Sequence, residues 1–238
     1  MQDGNCILKY ADDIYLIIPS SNYFSLPSEL SNIETWAKSK NLKLNKSKSQ
    51  EMIFHQPRSV RINPPPPIPD LPRVKSLKIL GVTISDNFSV KPHIDDLVST
   101  SGQNLFAFRT LRNHGLGVSS ISTVTSSTLF SKLSYASPAW RGFASVEDLK
   151  RLDAISSRAI RWGLYLTTAP VLCDIFDKAE KNLFFKARAS DHLLHSLLPP
   201  VSNHVYNLTK GAHNFVLPVK NNFLSKNFFH RILFQDIY

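Results

Sequence analysis

The chain has 238 residues, of which 42% are hydrophobic and 11% aromatic, so its composition excludes wholesale disorder and fits one large domain or two smaller ones. Lys and Arg outnumber Asp and Glu by 28 to 18, and the net charge of +10 favours a polyanionic partner such as nucleic acid or an acidic membrane surface. Apolar runs are short and Cys6 and Cys173 lie far apart, so we expect a soluble intracellular protein, in the nucleus or cytoplasm.

A β-hairpin with acidic residues at its bend is predicted near the start of the chain. Two apolar runs, Cys6–Leu8 and Ile14–Ile18, flank the segment Lys9–Asp13, which carries Asp12 and Asp13. Adjacent carboxylates repel each other unless a cation neutralises them, and a divalent metal would do so. A solvated turn is the alternative interpretation, because a Tyr-x-Asp-Asp tetrapeptide is short enough to arise by chance.

A helix and a third strand are predicted next. Pro27 fits a first helical position, apolar residues then recur at helical spacing, and Asn41 offers a left-handed stop. Met52–Phe54 has the composition of a strand returning to the sheet, which gives the order ββαβ. The proline-rich stretch 56–73 excludes helix and predicts an extended linker or surface loop.

One more strand and then four helices are predicted for the rest of the chain. The strand covers 77–84 with Gly81 inside it, where a missing side chain indicates a bulge or a close backbone approach. The tail from Val201 has too sparse an apolar pattern for an assignment and could be partly disordered. The predicted helices run from Pro92 to Gly115, over about 119–134, from a Ser145 cap with Asp148, and from Pro170 to Leu198.

Several motifs together resemble the palm of reverse transcriptases from non-LTR (LINE) retrotransposons. They are Tyr10-Ala11-Asp12-Asp13 between apolar strands, Leu42-x-Leu44-Asn45-x-x-Lys48, and Leu80-Gly81-Val82. The later segments 133–140 and 149–159 are similar to the thumb helices of jockey-like elements. The resemblance covers about residues 5–162 and implies an α+β fold, with a partial palm of antiparallel strands plus a helix followed by a mainly helical thumb and C-terminal region.

The resemblance also implies the site residues and their partners. Asp12 and Asp13 would be the metal ligands for Mg²⁺, and Tyr10 would pack beside the incoming nucleotide and primer end. Lys48 matches the family lysine that approaches the triphosphate, where an ammonium stabilises developing phosphate charge. Leu80 and Gly81 mark the primer-grip strand. The implied partners are an RNA template, a DNA primer and deoxynucleotides, with no membrane.

A two-metal centre needs a further carboxylate, which in the family lies upstream of the Tyr-Ala-Asp-Asp bend. Asp3 lies on the partner arm of the same hairpin and Asp86 follows the primer-grip strand, so neither matches that motif. We therefore expect the chain to be the C-terminal portion of an RNA-directed DNA polymerase, without the N-terminal palm and fingers and inactive by itself. Whether it acts as an enzyme stays open at this stage.

Basic residues supply the candidate nucleic-acid contacts. Lys38, Lys40, Lys43 and Lys46 belong to a stretch that also contains Lys48, Arg58 and Arg61. Arg109 and Arg112, with Arg158 and Arg161, could line a thumb surface. A nucleic-acid contact through these groups would weaken steeply with salt. Solvated basic faces are the alternative.

The predicted organisation has three regions: a partial palm over 1–90, a helical thumb-like region over 91–165, and a helical C-terminal extension over 166–238. Two other functions remain open. The chain could be a non-catalytic nucleic-acid-binding remnant, or a helical interaction protein whose acidic turn arose by chance. Only the last of these predicts no salt-sensitive binding to nucleic acid.

Overall fold

The computed structural model describes residues 1–55, 64–201 and 213–235. The chain divides into two compact units, Met1–Lys75 and Ser76–Tyr238. The first unit contains a two-stranded antiparallel sheet and a helix, and the second has a similar small sheet followed by helices. The predicted α+β class is therefore confirmed. The three regions predicted from the sequence, divided at residues 90 and 165, stay a prediction.

The first unit begins with the predicted hairpin, made of β1 (Cys6–Tyr10) and β2 (Asp13–Ile17). A 3₁₀ turn leads into α1 (Leu26–Ser39), which has Pro27 in its first turn, where a missing N–H costs no hydrogen bond. Asn41 follows with a positive φ of 56° and ends the helix as predicted.

The third strand predicted at Met52–Phe54 is wrong, and the order ββαβ with it. Only a single parallel bridge forms here, between Glu51 and Arg73. The Glu51 N–H donates to Pro72 O at 3.0 Å, and Val74 N–H donates to Glu51 O at 2.8 Å. In parallel register the bridge would continue through Val74 and Lys75 to Ser76, but Ser76 pairs antiparallel with Ser85 instead, so no ladder forms at Met52–Phe54.

The proline-rich stretch is irregular in its described part. Residues 64–68 carry no regular secondary structure, as predicted, while 56–63, including Pro57, lie outside the described residues. Hydrogen bonds from two side chains hold this stretch against the rest of the first unit. Tyr23 donates its hydroxyl to Pro66 O at 2.8 Å, and Arg73, which is ion-paired with Glu51 at 2.7 Å, donates to Pro65 O at 2.8 Å.

The second unit begins with a hairpin where a single strand was predicted. β3 (Ser76–Ile79) and β4 (Val82–Ser85) pair antiparallel, and Leu80 and Gly81 form the two-residue turn between them. Both turn residues have positive φ, 45° and 88°. Glycine adopts this backbone without strain, so Gly81 reverses the chain and does not make a bulge.

The helices of the second unit agree with the sequence pattern except near the C-terminus. Gly115, with φ of 94°, follows the first of them. Ser145 caps the helix Val146–Arg161 by accepting a hydrogen bond from Asp148 N–H at 3.1 Å, as predicted. The helices are α2 (Lys91–Asn113), α3 (Val118–Thr125), a π-helical turn (Ser126–Phe130), α4 (Ser131–Ser134), α5 (Ser137–Trp140), α6 (Val146–Arg161), α7 (Leu172–Ala187) and α8 (Phe228–Leu233).

The helix predicted to reach Leu198 ends at Ala187 instead. Beyond it, the His192 ring accepts from Leu194 N–H at 3.2 Å, a local bond that competes with helical pairing. The tail also differs from its prediction in the part that the structure describes. There α8 buries Phe228, Phe229 and Leu233 against Ala187 of α7.

The core of the second unit surrounds Trp140, whose side chain is fully buried. Its ring makes edge contacts with His93 and Phe176, at centroid distances of 5.4 and 5.6 Å. Most of the other core side chains are aliphatic, which gives this unit a dense apolar centre. They include Ile94, Leu105, Ile121, Leu129, Leu133, Leu152 and Leu164.

Candidate functional site

The acidic bend is the tip of the β1–β2 hairpin. Tyr10 pairs with Asp13 across the two strands, which leaves Ala11 and Asp12 as a two-residue turn. Ala11 has a positive φ of 52°, a feature of such tight turns. Tyr10, Asp12 and Asp13 are all exposed. The tight turn therefore presents both carboxylates to solvent on neighbouring residues.

The two faces of the hairpin have different surroundings. Lys9 pairs with Ile14, so both lie on one face, and the Lys9 ammonium sits 4.8 Å from the centroid of the Trp36 ring on α1. Side chains alternate along a strand, so Tyr10 and Asp13 lie on the opposite face. There Tyr15 donates its hydroxyl to Asp13 at 3.3 Å. Sequence reasoning missed Tyr15, although its period-two spacing from Asp13 is a usable signal.

A buried polar network fixes the start of the hairpin to α1. The Glu29 carboxylate accepts from Gln2 N–H at 2.7 Å and from the Asn5 side chain at 2.9 Å. These bonds hold the pKa of Glu29 below its usual value, and the bond from the Gln2 backbone has the largest effect. Glu29 and Asn5 are both buried, with 3% and 7% of their surfaces exposed. No local sequence signal predicts the pairing of Asn5 with Glu29, because these residues lie 24 positions apart.

The donor set at the bend suits a hard cation that brings other ligands with it. Magnesium commonly takes one or two carboxylates from protein and completes its shell with water and phosphate oxygens. Asp12 and Asp13 can supply that pair. Across residues 1–55, 64–201 and 213–235, no group of three or more His, Cys, Asp or Glu side chains is placed to hold a metal. Among the described residues, the bend therefore brings together two carboxylates and no third metal-ligating side chain.

Lys48 lies exposed in a turn that Asn45 organises. The Asn45 side chain accepts from the Ser47 hydroxyl at 2.7 Å and from Lys48 N–H at 3.3 Å. Its carbonyl oxygen accepts from Ser49 N–H at 3.1 Å. This Asx-type turn sets the backbone direction at Lys48. Asn45 therefore supports the backbone at Lys48, a role that was not predicted for it although it belongs to the sequence motif.

The basic stretch that begins at Lys38, in the last turn of α1, is solvent-exposed. Lys38, Lys40, Lys43 and Lys46 are exposed, and Lys46 pairs with Glu34 at 3.1 Å, so part of its charge is neutralised. Such a surface pair contributes little stability. Arg58 and Arg61, predicted to belong to the same stretch, lie outside the described residues.

In the second unit, α2 and the end of α6 bring arginines together around Trp162. The guanidinium carbons of Arg109 and Arg158 lie 5.2 and 5.9 Å from the ring centroid. Arg112 is half-buried, and its guanidinium donates a hydrogen bond to the carbonyl oxygen of Gly163. Arg109 and Arg158 are exposed, and neither forms an ion pair with a described residue.

The acidic hairpin bend and the turn that carries Lys48 lie in one stretch of sequence that matches a family model. Residues 1–84 match the family model of reverse transcriptase (RNA-dependent DNA polymerase). The reverse-transcriptase match thus includes Asp12, Asp13 and Lys48, and it ends within β4, just beyond Leu80 and Gly81.

The match covers 84 of the 238 residues, so the helices from α2 onward lie outside it. No curated protein matches the chain, and no solved structure does. Within the described residues, no helix combines the length and the apolar composition needed to cross a membrane. The match therefore takes in the first unit and most of the β3–β4 hairpin.

Proposed function

We propose that this chain is part of an RNA-directed DNA polymerase of the non-LTR (LINE, jockey-like) retrotransposon type. One observation carries the proposal: adjacent carboxylates, Asp12 and Asp13, occupy the exposed tip of a tight hairpin inside the reverse-transcriptase match. Like charges so close are unfavourable without a cation, and oxygen donors suit Mg²⁺. In the intact polymerase the substrates are an RNA template, a DNA primer and deoxynucleotides.

The residues at the bend take separate roles in this proposal. Asp12 and Asp13 hold Mg²⁺, which when bound neutralises phosphate charge and activates the attacking hydroxyl. Tyr15 restrains the Asp13 carboxylate through its hydroxyl. Tyr10, on the same face as Asp13, offers an exposed ring beside the nucleotide and primer end. Lys48 approaches the triphosphate, where its ammonium stabilises charge.

Metal binding can be tested without polymerase activity. Mn²⁺ is the probe, because its paramagnetism broadens the amide signals of residues close to it. We expect broadening centred on Ala11–Asp13. The Asp12→Asn variant, which lacks one carboxylate charge, should not show this broadening at the same Mn²⁺ concentrations. Asp3→Asn is the matched control, since Asp3 is also exposed and lies in the same unit. Equal broadening in the two variants would show that the bend does not select the ion.

We further propose that the chain alone does not extend a primer, because a two-metal centre needs a third carboxylate and the described residues do not bring one to the bend. The assay is template-dependent extension of a DNA primer by the purified chain. We expect no product above the level of Asp12→Ala. Extension that Asp12→Ala abolishes would contradict the inactivity and support the polymerase assignment.

Basic and turn residues in each unit are candidate contacts for nucleic acid. Lys38, Lys40 and Lys43 are exposed and form no ion pair with a described residue, so their ammonium groups would suit phosphates of the template or primer. The turn of Leu80 and Gly81 would contact the primer strand, as it does in the proposed family. Arg109 would face the duplex, whereas Arg112 is engaged by Gly163.

A second function, non-catalytic binding of nucleic acid, is favoured by the arginines around Trp162. Arg109 and Arg158 are exposed and lack carboxylate partners among the described residues, which suits phosphate contacts. In a salt series, Arg109→Gln with Arg158→Gln should reduce the slope of log affinity against log salt by about 2. Lys181→Gln with Arg188→Gln is the control, because both of these residues are exposed cations of the same unit. Salt-independent binding would favour the helical interaction protein instead.

A further inference from the structure

The turn between β3 and β4 holds a conformation that its sequence does not favour. Leu80 has a positive φ of 45°, whereas Asn or Asp is the usual residue before Gly in such a turn. A residue with a branched apolar side chain is strained by about 1–3 kcal/mol in this left-handed backbone conformation, and it persists there only where surrounding structure fixes it. Burial does not explain it, since the Leu80 side chain is 42% exposed. A contact from elsewhere in the unit must hold the turn.

Tyr135 makes that contact from 55 residues away in sequence. Its hydroxyl donates to the Leu80 carbonyl oxygen at 3.1 Å. Its ring passes so close to Gly81 that a Cβ there would lie 3.1 Å from the nearest ring carbon. The φ of 88° therefore favours glycine, and the neighbouring ring would have to shift to admit any larger residue. One side chain fixes both residues of the turn.

Tyr135 is itself held by the core. It ends α4 with a non-helical ψ of 125°, and Ala136 follows in the left-handed conformation. The indole N–H of Trp140 donates to the Tyr135 carbonyl oxygen at 2.9 Å, and Trp140 is fully buried. A rigid path therefore runs from the core through Tyr135 to an exposed turn. The Tyr135 side chain stays 56% exposed, so its ring is accessible beside Leu80.

From this geometry we infer that Tyr135 is a positioning residue, which fixes the Leu80–Gly81 turn in the orientation that meets the 3′ end of a primer strand. The inference rests on the proposed function, which places that turn against the primer. Tyr135 acts through the turn and needs no contact with the reacting atoms. A flexible turn would contact duplex of any kind equally, whereas a fixed turn can distinguish a recessed 3′ end from a blunt one.

The test compares two duplexes on the full chain by fluorescence anisotropy. One is an RNA template annealed to a DNA primer with a recessed 3′ end, and the other is the same hybrid with a blunt end. Tyr135→Phe keeps the ring and removes only the bond to Leu80. We expect it to reduce the preference for the recessed end by about fivefold, the effect of one hydrogen bond, with blunt-end affinity unchanged. A merely structural role would lower both affinities together.

Tyr23→Phe is the matched control, because it removes a tyrosine hydroxyl bond to a backbone carbonyl, that of Pro66, in the other unit. It should leave the preference unchanged. If Leu80→Ala loses the preference and Tyr135→Phe retains it, the positioning role is wrong and the proposed primer contact stands. If Leu80→Ala also retains the preference, the primer contact in the proposed function fails as well.

Discussion

The buried ion pair between Arg231 of α8 and Glu180 of α7 should decide whether the C-terminal helix stays docked. Arg231 Nη2 lies 2.5 Å from the Glu180 carboxylate, whose side chain is fully buried, while the Arg231 side chain is 19% exposed. Arg141 lies 3.6 Å from the same carboxylate oxygen. Removing one partner of a buried pair typically costs about 3–5 kcal/mol. Because Arg141 still compensates Glu180, we expect Arg231→Met to cost about 2–3 kcal/mol.

Urea unfolding measures this cost in the second unit alone if Trp36 is replaced by Phe, because Trp140 and Trp162 then supply the fluorescence. Lys226→Met is the matched control, since Lys226 is an exposed cation just before α8, and it should change the unfolding free energy by less than about 0.5 kcal/mol. The double variant Glu180→Met, Arg231→Met should be more stable than the sum of the single changes indicates. Equal unfolding free energies for Arg231→Met and Lys226→Met would refute the reasoning.

Three further predictions concern backbone strain and pH. Gly163→Ala should destabilise the second unit by about 1–3 kcal/mol in urea unfolding, because Gly163 has φ of 63° and a Cβ would meet the Arg112 guanidinium. Gly102→Ala is the control and should not destabilise the unit, because the space at its Cβ is open. Ala11→Gly should stabilise the first unit by about 1 kcal/mol in thermal melts, because φ at Ala11 is 52°. Burial, opposed by Asp96 and assisted by Lys78 and Lys132, lowers the pKa of His93 below its ordinary 6.5. The unfolded chain then binds the extra proton, so stability should fall as the pH drops below about 6.5, and His93→Gln should flatten that part of the pH profile.

Local signals in the sequence predicted the elements whose determinants are local. The hairpin at Asp12, the end of α1 at Asn41 and the cap at Ser145 each depend on residues within a few positions of one another. The residue types alone also identified the acidic bend, and the family match covers it. Residue roles at the bend remain predictions, because they depend on metal and substrate.

Contacts between distant residues account for what the sequence did not predict. The strand predicted at Met52–Phe54 does not form because Ser76, which would continue its pairing, pairs with Ser85 instead, and the apolar pattern of the strand itself cannot reveal that competition. The docking of α8 depends on Arg231 meeting Glu180, 51 residues away. Periodicity carries no information on such pairs.

The anchoring of the first hairpin has a thermal consequence for the carboxylates at its tip. A two-stranded ribbon has little stability of its own in water. This one is tied to α1 through Glu29 at its base and Trp36 along one face. Warming that frays the helix would therefore disperse Asp12 and Asp13 before the rest of the molecule melts, and affinity for a divalent ion should decline well below the main melting temperature.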